Sequence, residues 1–215
     1  MSNLTTLYPI VAAFLTGIAG PIGLTYIKHK LRLKSRVLER RKTDFESVIE
    51  TQELINDSLN KLQNRFNLDR IWVAQFHNGG SFYPGNKSMK KMSVTFESSA
   101  PGVATDIMKM QNLPVSFFSA ALQKLNSGAE SVVSDIFTEE DHALRSFWQN
   151  RGANTIYIFP IKCLEGGFIG ILGVDLIKKD GFLPDNIYAE LKNESILLSG
   201  YVAAIAVKKI SFLFN

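Results

Sequence analysis

Residues 151–186, RGANTIYIFPIKCLEGGFIGILGVDLIKKDGFLPDN, hold two strongly apolar runs joined by a glycine-rich link. Asn154 to Ile161 and Phe168 to Leu176 are rich in Ile, Val and aromatic residues, which suit a pleated surface. The link KCLEGG is a hairpin loop, and its glycines supply the positive φ that such a loop needs. Gly170 and Gly173 inside the second run predict a bulge or the close approach of another backbone. Pro184–Asp185 then opens a long final helix. Its Ile187, Leu191, Leu198, Tyr201 and Ile205 recur at 4–3 spacing, with Glu194 in the series.

Working back from this hairpin, Thr138 to Asn150 predicts a helix with Thr138 as N-cap and acids in the first turn. A short strand, AESVVSDI, precedes it. Pro114 to Leu125 predicts another helix, ended by Asn126–Ser127–Gly128. MSVTFES alternates, with Met92, Val94 and Phe96 on one face and Ser93, Thr95 and Glu97 on the other, the period of a half-buried strand. RIWVAQFHNGG is a strand closed by a turn. The order is helix, two strands, helix, strand, helix, two hairpin strands, helix. That order specifies an α+β domain over 67–215, one antiparallel sheet flanked by helices.

Residues 43–66 lack Gly and Pro. Phe45, Val48, Ile55, Leu59, Leu62 and Phe66 fall at 3–4 spacing, with Gln52 in the skipped place. This narrow heptad seam predicts a coiled-coil-like helix and a homodimer, with a buried Gln52 setting register. The alternative is an amphipathic helix lying on its own domain.

The charge is unevenly spread. No charged residue occurs from Met1 to Ile27, whereas nine of the fifteen residues 28–42 are Lys, Arg or His. Leu7 to Ile27 spans ~31 Å as a helix, enough for a hydrocarbon core of ~30 Å. Residues 1–27 therefore read as a transmembrane anchor and 28–42 as a basic juxtamembrane segment. Basic residues following the span place the C-terminal domain in the cytoplasm, and they can meet anionic membrane lipid. The net charge of +4 is mostly that segment's, so the remaining chain has no basic face for nucleic acid.

Cys163 is the only cysteine, which excludes an internal disulfide and a cysteine-based zinc site. His29, His77 and His142 are scattered, so no metal is expected. Neither a nucleophile–base–orienter set nor a phosphate-binding fingerprint occurs. No catalytic residue and no cofactor are expected.

The chain resembles a GAF domain from about Ser47 to Lys209. The resemblance rests on Phe159–Pro160–Ile161, Gly166–Gly167, Ile169–Gly170 and Phe182–Leu183–Pro184–Asp185. It implies an antiparallel sheet of about six strands, a pocket on one face, and dimers through the terminal helices. It also implies a small-molecule-binding or dimerisation module of signalling proteins. Because these residues include no kinase, cyclase or DNA-binding domain, a sensory or regulatory role would need a separate effector protein. The NKFDE motif of cyclic-nucleotide-binding members is absent. Cys163 is not followed by His, unlike a bilin-attachment cysteine.

Candidate ligand-binding residues are His77, Asn78 and Tyr83 in FHNGGSFYPG, with Glu97, Asp135 and Arg151. The glycines of that motif allow close backbone approach, and its aromatics can stack on a planar ligand. Asn-Gly and Pro-Gly are also ordinary turn dipeptides. Met92, Val94, Phe96, Tyr157 and Phe159 are candidates for pocket wall or core. In plan alone the chain also resembles T-even-type phage holins, with one N-terminal span and a globular C-terminal domain. The basic run opposes their topology. A purely structural assembly module is the third reading.

Overall fold

The computed structural model describes residues 45–78, 89–163, 166–177 and 182–211. The expected anchor and basic segment lie outside these residues, as does Tyr83. Among the described residues, no helix is long and apolar enough to cross a membrane. Val48–Asn215 forms one compact unit.

Helix α1 covers residues 45–66. It ends where Asn67 takes φ 51°, a left-handed conformation that Asn tolerates. Leu68 N–H then donates to the Gln63 carbonyl at 3.0 Å. The Gln63 side chain donates to the Leu68 carbonyl at 2.9 Å, so the turn is closed twice. Strand β1 (Arg70–His77) follows at once, then β2 (Lys91–Ser99) and a stub β3 (Leu113–Pro114). A 3-10 turn (Val115–Phe118) leads into α2 (Ser119–Asn126), β4 (Val132–Asp135) and α3 (His142–Asn150). The hairpin β5 (Thr155–Lys162) and β6 (Phe168–Leu176) and the long α4 (Asp185–Ser211) complete the fold. The six strands form one antiparallel sheet in the order β3-β2-β1-β6-β5-β4. This is the α+β arrangement expected from the element order.

Thr138 is not the cap of α3. Asp141 is, its carboxylate accepting from the Ala143 and Leu144 amides. Thr138 instead belongs to a turn, in which its amide donates to the Asp135 carbonyl at 3.1 Å.

One face of the sheet packs on α1 and α4. Ile55, Leu59 and Leu62 of α1 are buried there with Val73, Phe96, Tyr157, Phe159, Leu172 and Val174 of the sheet. Leu191, Leu198 and Val202 of α4 join the same core. The heptad seam is thus used within the chain from Ile55 to Phe66. Gln52, expected to be buried on that seam, is exposed. The tight 67–69 turn folds α1 back across the sheet with little loop-closure cost, and each large apolar side chain buried there contributes about 1.5–3 kcal/mol. Leu183 N–H donates to the Tyr157 hydroxyl at 2.8 Å. Burial pushes that phenol above its ordinary 10.0, partly opposed by this hydrogen bond.

The opposite, inner face carries α2, α3 and the loop after β2. Trp72, Ala74, Phe76, Met92, Val94, Ile156, Ile158 and Ile171 meet Phe118, Leu125, Leu144 and Trp148 there. The simple alternation of β2 does not hold. Val73 pairs with Phe96 but Ala74 pairs with Val94, so Thr95 is an extra residue in a bulge. Met92 and Val94 therefore join the inner core, while Phe96 joins the helix-side core. Glu97, opposite Trp72, is carried to the inner face.

Candidate functional site

Two features occupy the inner face. The first is a buried ionic network. Arg70 begins β1 opposite Asp175 of β6, and Asp175 is 0% exposed. Asp175 Oδ2 accepts from Arg70 Nη1 at 2.9 Å and from Arg151 Nη2 at 2.7 Å. Its other oxygen accepts from Trp72 Nε1 at 2.8 Å. Arg70 Nη2 donates to the Ala104 carbonyl at 2.7 Å and lies 3.5 Å from Asp106. Arg70 Nε lies 3.8 Å from Glu97. The Arg151 guanidinium lies over Trp72 and Trp148, at 5.7 and 5.9 Å from their ring centroids, within cation–π range. Two guanidiniums and three carboxylates are thus buried together. Lys109 adds a third cation, 3.0 Å from Asp106 Oδ1. Three positive charges thus face three carboxylates, and such a set persists because its charges are paired.

The second feature is a cavity of about 100 Å³ between the 3-10 turn, α2, β4 and α3. Phe117, Phe118, Leu144, Trp148 and Ile158 form its apolar walls, and Lys124, Ser134, Glu139 and Asp141 its polar lining. The aromatic walls hold one another edge to face. Phe118 and Trp148 both contact Phe147, with ring centroids 6.0 and 4.9 Å away. Ala120, Lys124, Val132 and Val133 also border an open groove outside α2 and β4, so the mouth faces that side.

The candidate residues fall into separate places. His77 is buried at the end of β1, its Nε2 2.8 Å from Ser93 Oγ. Asn78 is exposed and accepts the Lys90 amide at 2.8 Å, which ties the end of β1 to the start of β2. Asp135 accepts the Phe137 amide at 2.9 Å and so holds the turn after β4. Only Glu97 and Arg151 come together, through Arg70 and Asp175. Glu97 accepts the Asp106 amide at 2.9 Å. Among the described candidates, none lines the cavity. Phe96, Tyr157 and Phe159, named as pocket wall or core, belong to the helix-side core. Cys163 packs against that same core, on the far side of the sheet from the cavity.

Arg70, Asp175, Lys124 and Trp148 were not singled out as ligand residues by sequence reasoning. A signal did exist for the network, because a charged residue inside an apolar strand is rarely buried unless paired. Lys124 and Trp148 carry no such signal. Their meeting depends on how α2 and α3 dock. No group of His, Cys, Asp and Glu able to hold a metal occurs among the described residues.

No protein-family model matches the chain, and no curated protein does. Solved structures match it as folds. The GAF domain region of a Geobacter sulfurreducens PCA protein superposes with a TM-score of 0.57 at 18% identity, covering 74% of this chain and 97% of that one. The phycoerythrobilin-bound GAF domain of a cyanobacterial phytochrome gives 0.56 at 15% identity, covering 83% and 97%. A GAF domain/HD domain protein from Geobacter sulfurreducens gives 0.54 at 13% identity, covering 76% and 97%. The chain has a GAF fold.

Proposed function

We propose that this chain is a non-enzymatic sensory or regulatory module, anchored in a membrane by residues 1–27, whose GAF-fold domain binds a small molecule in the cavity between α2, β4 and α3. The observation that carries this reading is the cavity itself. It is concave and mostly apolar, with a few polar groups, the usual make-up of a small-molecule site. One of the structures similar to it holds a bilin. A bilin attached through Cys163 is disfavoured here, because Cys163 packs on the helix-side core. The volume, about 100 Å³, is also well below the roughly 300–1,000 Å³ of drug-sized sites.

Binding is expected to show in a thermal-shift screen of the full chain against compact metabolites. A ligand at about 100 times its Kd stabilises the fold by ~2.7 kcal/mol, a shift of several degrees for a domain of this size. Silence across a broad small-molecule set would overturn the reading and favour a structural assembly module.

Anchoring rests on the uncharged run 1–27 and the basic run 28–42. A reporter active only in the cytoplasm, fused after Asn215, is expected to be active. Its exposure to external protease in intact cells would reverse the topology and favour the holin-type reading. In the dimer we propose, the exposed apolar side chains Ile49 and Leu54 of α1 and Ile196 and Leu197 of α4 are available for contact, since the inward face of each helix is already covered.

A further inference from the structure

The unsatisfied polar groups around the cavity indicate what its ligand must carry. This step rests on the small-molecule reading above. The acidic side chains of the lining are already engaged. Asp141 Oδ1 caps α3 by accepting the Ala143 and Leu144 amides at 2.9 and 3.1 Å. Glu139 Oε2 accepts from the Ser134 hydroxyl, and its Oε1 accepts the Asp141 amide at 3.3 Å. Two donors are among the groups left over. Trp148 is 0% exposed, and its Nε1 has no hydrogen-bond partner among the described residues. Lys124 stands at the mouth with no ion pair among those residues. A buried N–H without an acceptor is costly, and a ligand that brings an acceptor removes that cost. A cation at the mouth favours an anionic group there.

Size narrows the class. A dry cavity of ~150 Å³ holds benzene, with six heavy atoms. By proportion, about 100 Å³ holds roughly four, so a ligand of about five or six heavy atoms fits only with its carboxylate standing in the mouth. We propose that the cavity takes a short-chain carboxylate of about three or four carbons. Its apolar end packs against Phe118, Ile158 and Leu144, one acceptor meets the Trp148 indole N–H, and the carboxylate reaches toward Lys124. A 2-oxo acid offers a separate acceptor to each donor.

The test is a titration of the full chain with propionate, isobutyrate and pyruvate, read as a melting shift and by calorimetry. Propionamide and 1-propanol serve as uncharged probes of similar size and benzoate as an oversized one. At least one of the three carboxylates is expected to bind, and the uncharged probes and benzoate at least tenfold more weakly. Lys124→Gln, at an exposed position, is expected to weaken that carboxylate about tenfold or more with the unliganded melting temperature unchanged, as for a lost charge-assisted hydrogen bond. Trp148→Phe keeps an aromatic ring but removes the N–H together with part of the buried indole, so it is expected to lower the unliganded melting temperature as well as to weaken binding to a similar extent. If Trp148→Phe does not fold, Lys124→Gln decides alone. Carboxylate binding that ignores Lys124→Gln would overturn the proposal. If all three carboxylates are silent while another compact molecule stabilises the chain, the carboxylate class falls and the cavity reading stands. Silence from all six compounds defeats the carboxylate proposal, and the cavity reading falls with it only if the broad screen is silent too.

Discussion

Asp175→Ala is expected to cost the domain about 3–5 kcal/mol or more, the range for removing one partner of a buried ion pair. The loss has three parts in this structure. Arg70 and Arg151 both donate to Asp175 Oδ2, so two buried guanidiniums lose their shared counter-charge. Trp72 Nε1 loses its acceptor. A small cavity also opens beneath the sheet. Against a typical total of about 5–15 kcal/mol, this removes about a fifth or more of the stability and unfolds much of the population if the total lies at the low end. Urea unfolding of the purified chain measures it. Asp175→Asn isolates the charge, because the amide oxygen can still accept from Trp72. Its loss is expected to be smaller but still above about 1 kcal/mol. A loss below about 1 kcal/mol for Asp175→Ala would mean that water compensates the network and that it is not a structural centre.

Gly170→Ala is expected to be nearly as damaging, for a steric reason. A Cβ at Gly170 would lie 2.4 Å from the Ala74 carbonyl oxygen. That oxygen belongs to the β1 backbone paired with β6, so relief requires the two central strands to separate locally. Overpacking in a core costs about 1–3 kcal/mol where side chains can yield. A backbone neighbour places the expected loss at or above the top of that range. Gly200→Ala provides the contrast. It lies within α4, and nothing stands within 4 Å of its added Cβ. Ala there is expected to stabilise by about 0.5–1 kcal/mol through helix propensity. Equal effects at the two sites would contradict the close approach of β1 and β6.

The interior glycines show how far local sequence reaches. Gly170 and Gly173 in an apolar strand point to a bulge or a close backbone; Gly170 does meet the Ala74 carbonyl, whereas the space at Gly173 is taken by the Trp72 side chain. The hairpin loop was equally legible. Gly166 takes φ 83°, and the Cys163 amide donates across the turn to the Gly167 carbonyl at 2.8 Å. These features depend on residues adjacent in the chain or on the steric needs of one strand. The cap of α3 was less legible, because Thr138 and Asp141 both suit an N-cap. Asp135 decided between them by drawing Phe137 and Thr138 into a turn.

What the sequence by itself determined is the element order apart from β3 and the 3-10 turn, which replace the start of the helix expected from Pro114, with the antiparallel hairpin and the apolar faces of the terminal helices, since each follows from periodicity or turn chemistry within a few residues. Only the tertiary structure decided what those faces meet. The 45–66 seam carries the same pattern whether it pairs with a second copy or lies on its own sheet. Ile55, Leu59 and Leu62 lie on the sheet because the 67–69 turn places it within reach. The bulge at Thr95 likewise sends Phe96 to the helix side and Glu97 to the inner face, against the simple alternation of β2. Arg70, Arg151 and Asp175 are far apart in sequence, as are Lys124 and Trp148. Their proximity arises from strand order and helix docking, which depend on contacts summed over the whole domain; a charge inside an apolar strand marks that a partner exists but not which residue it is.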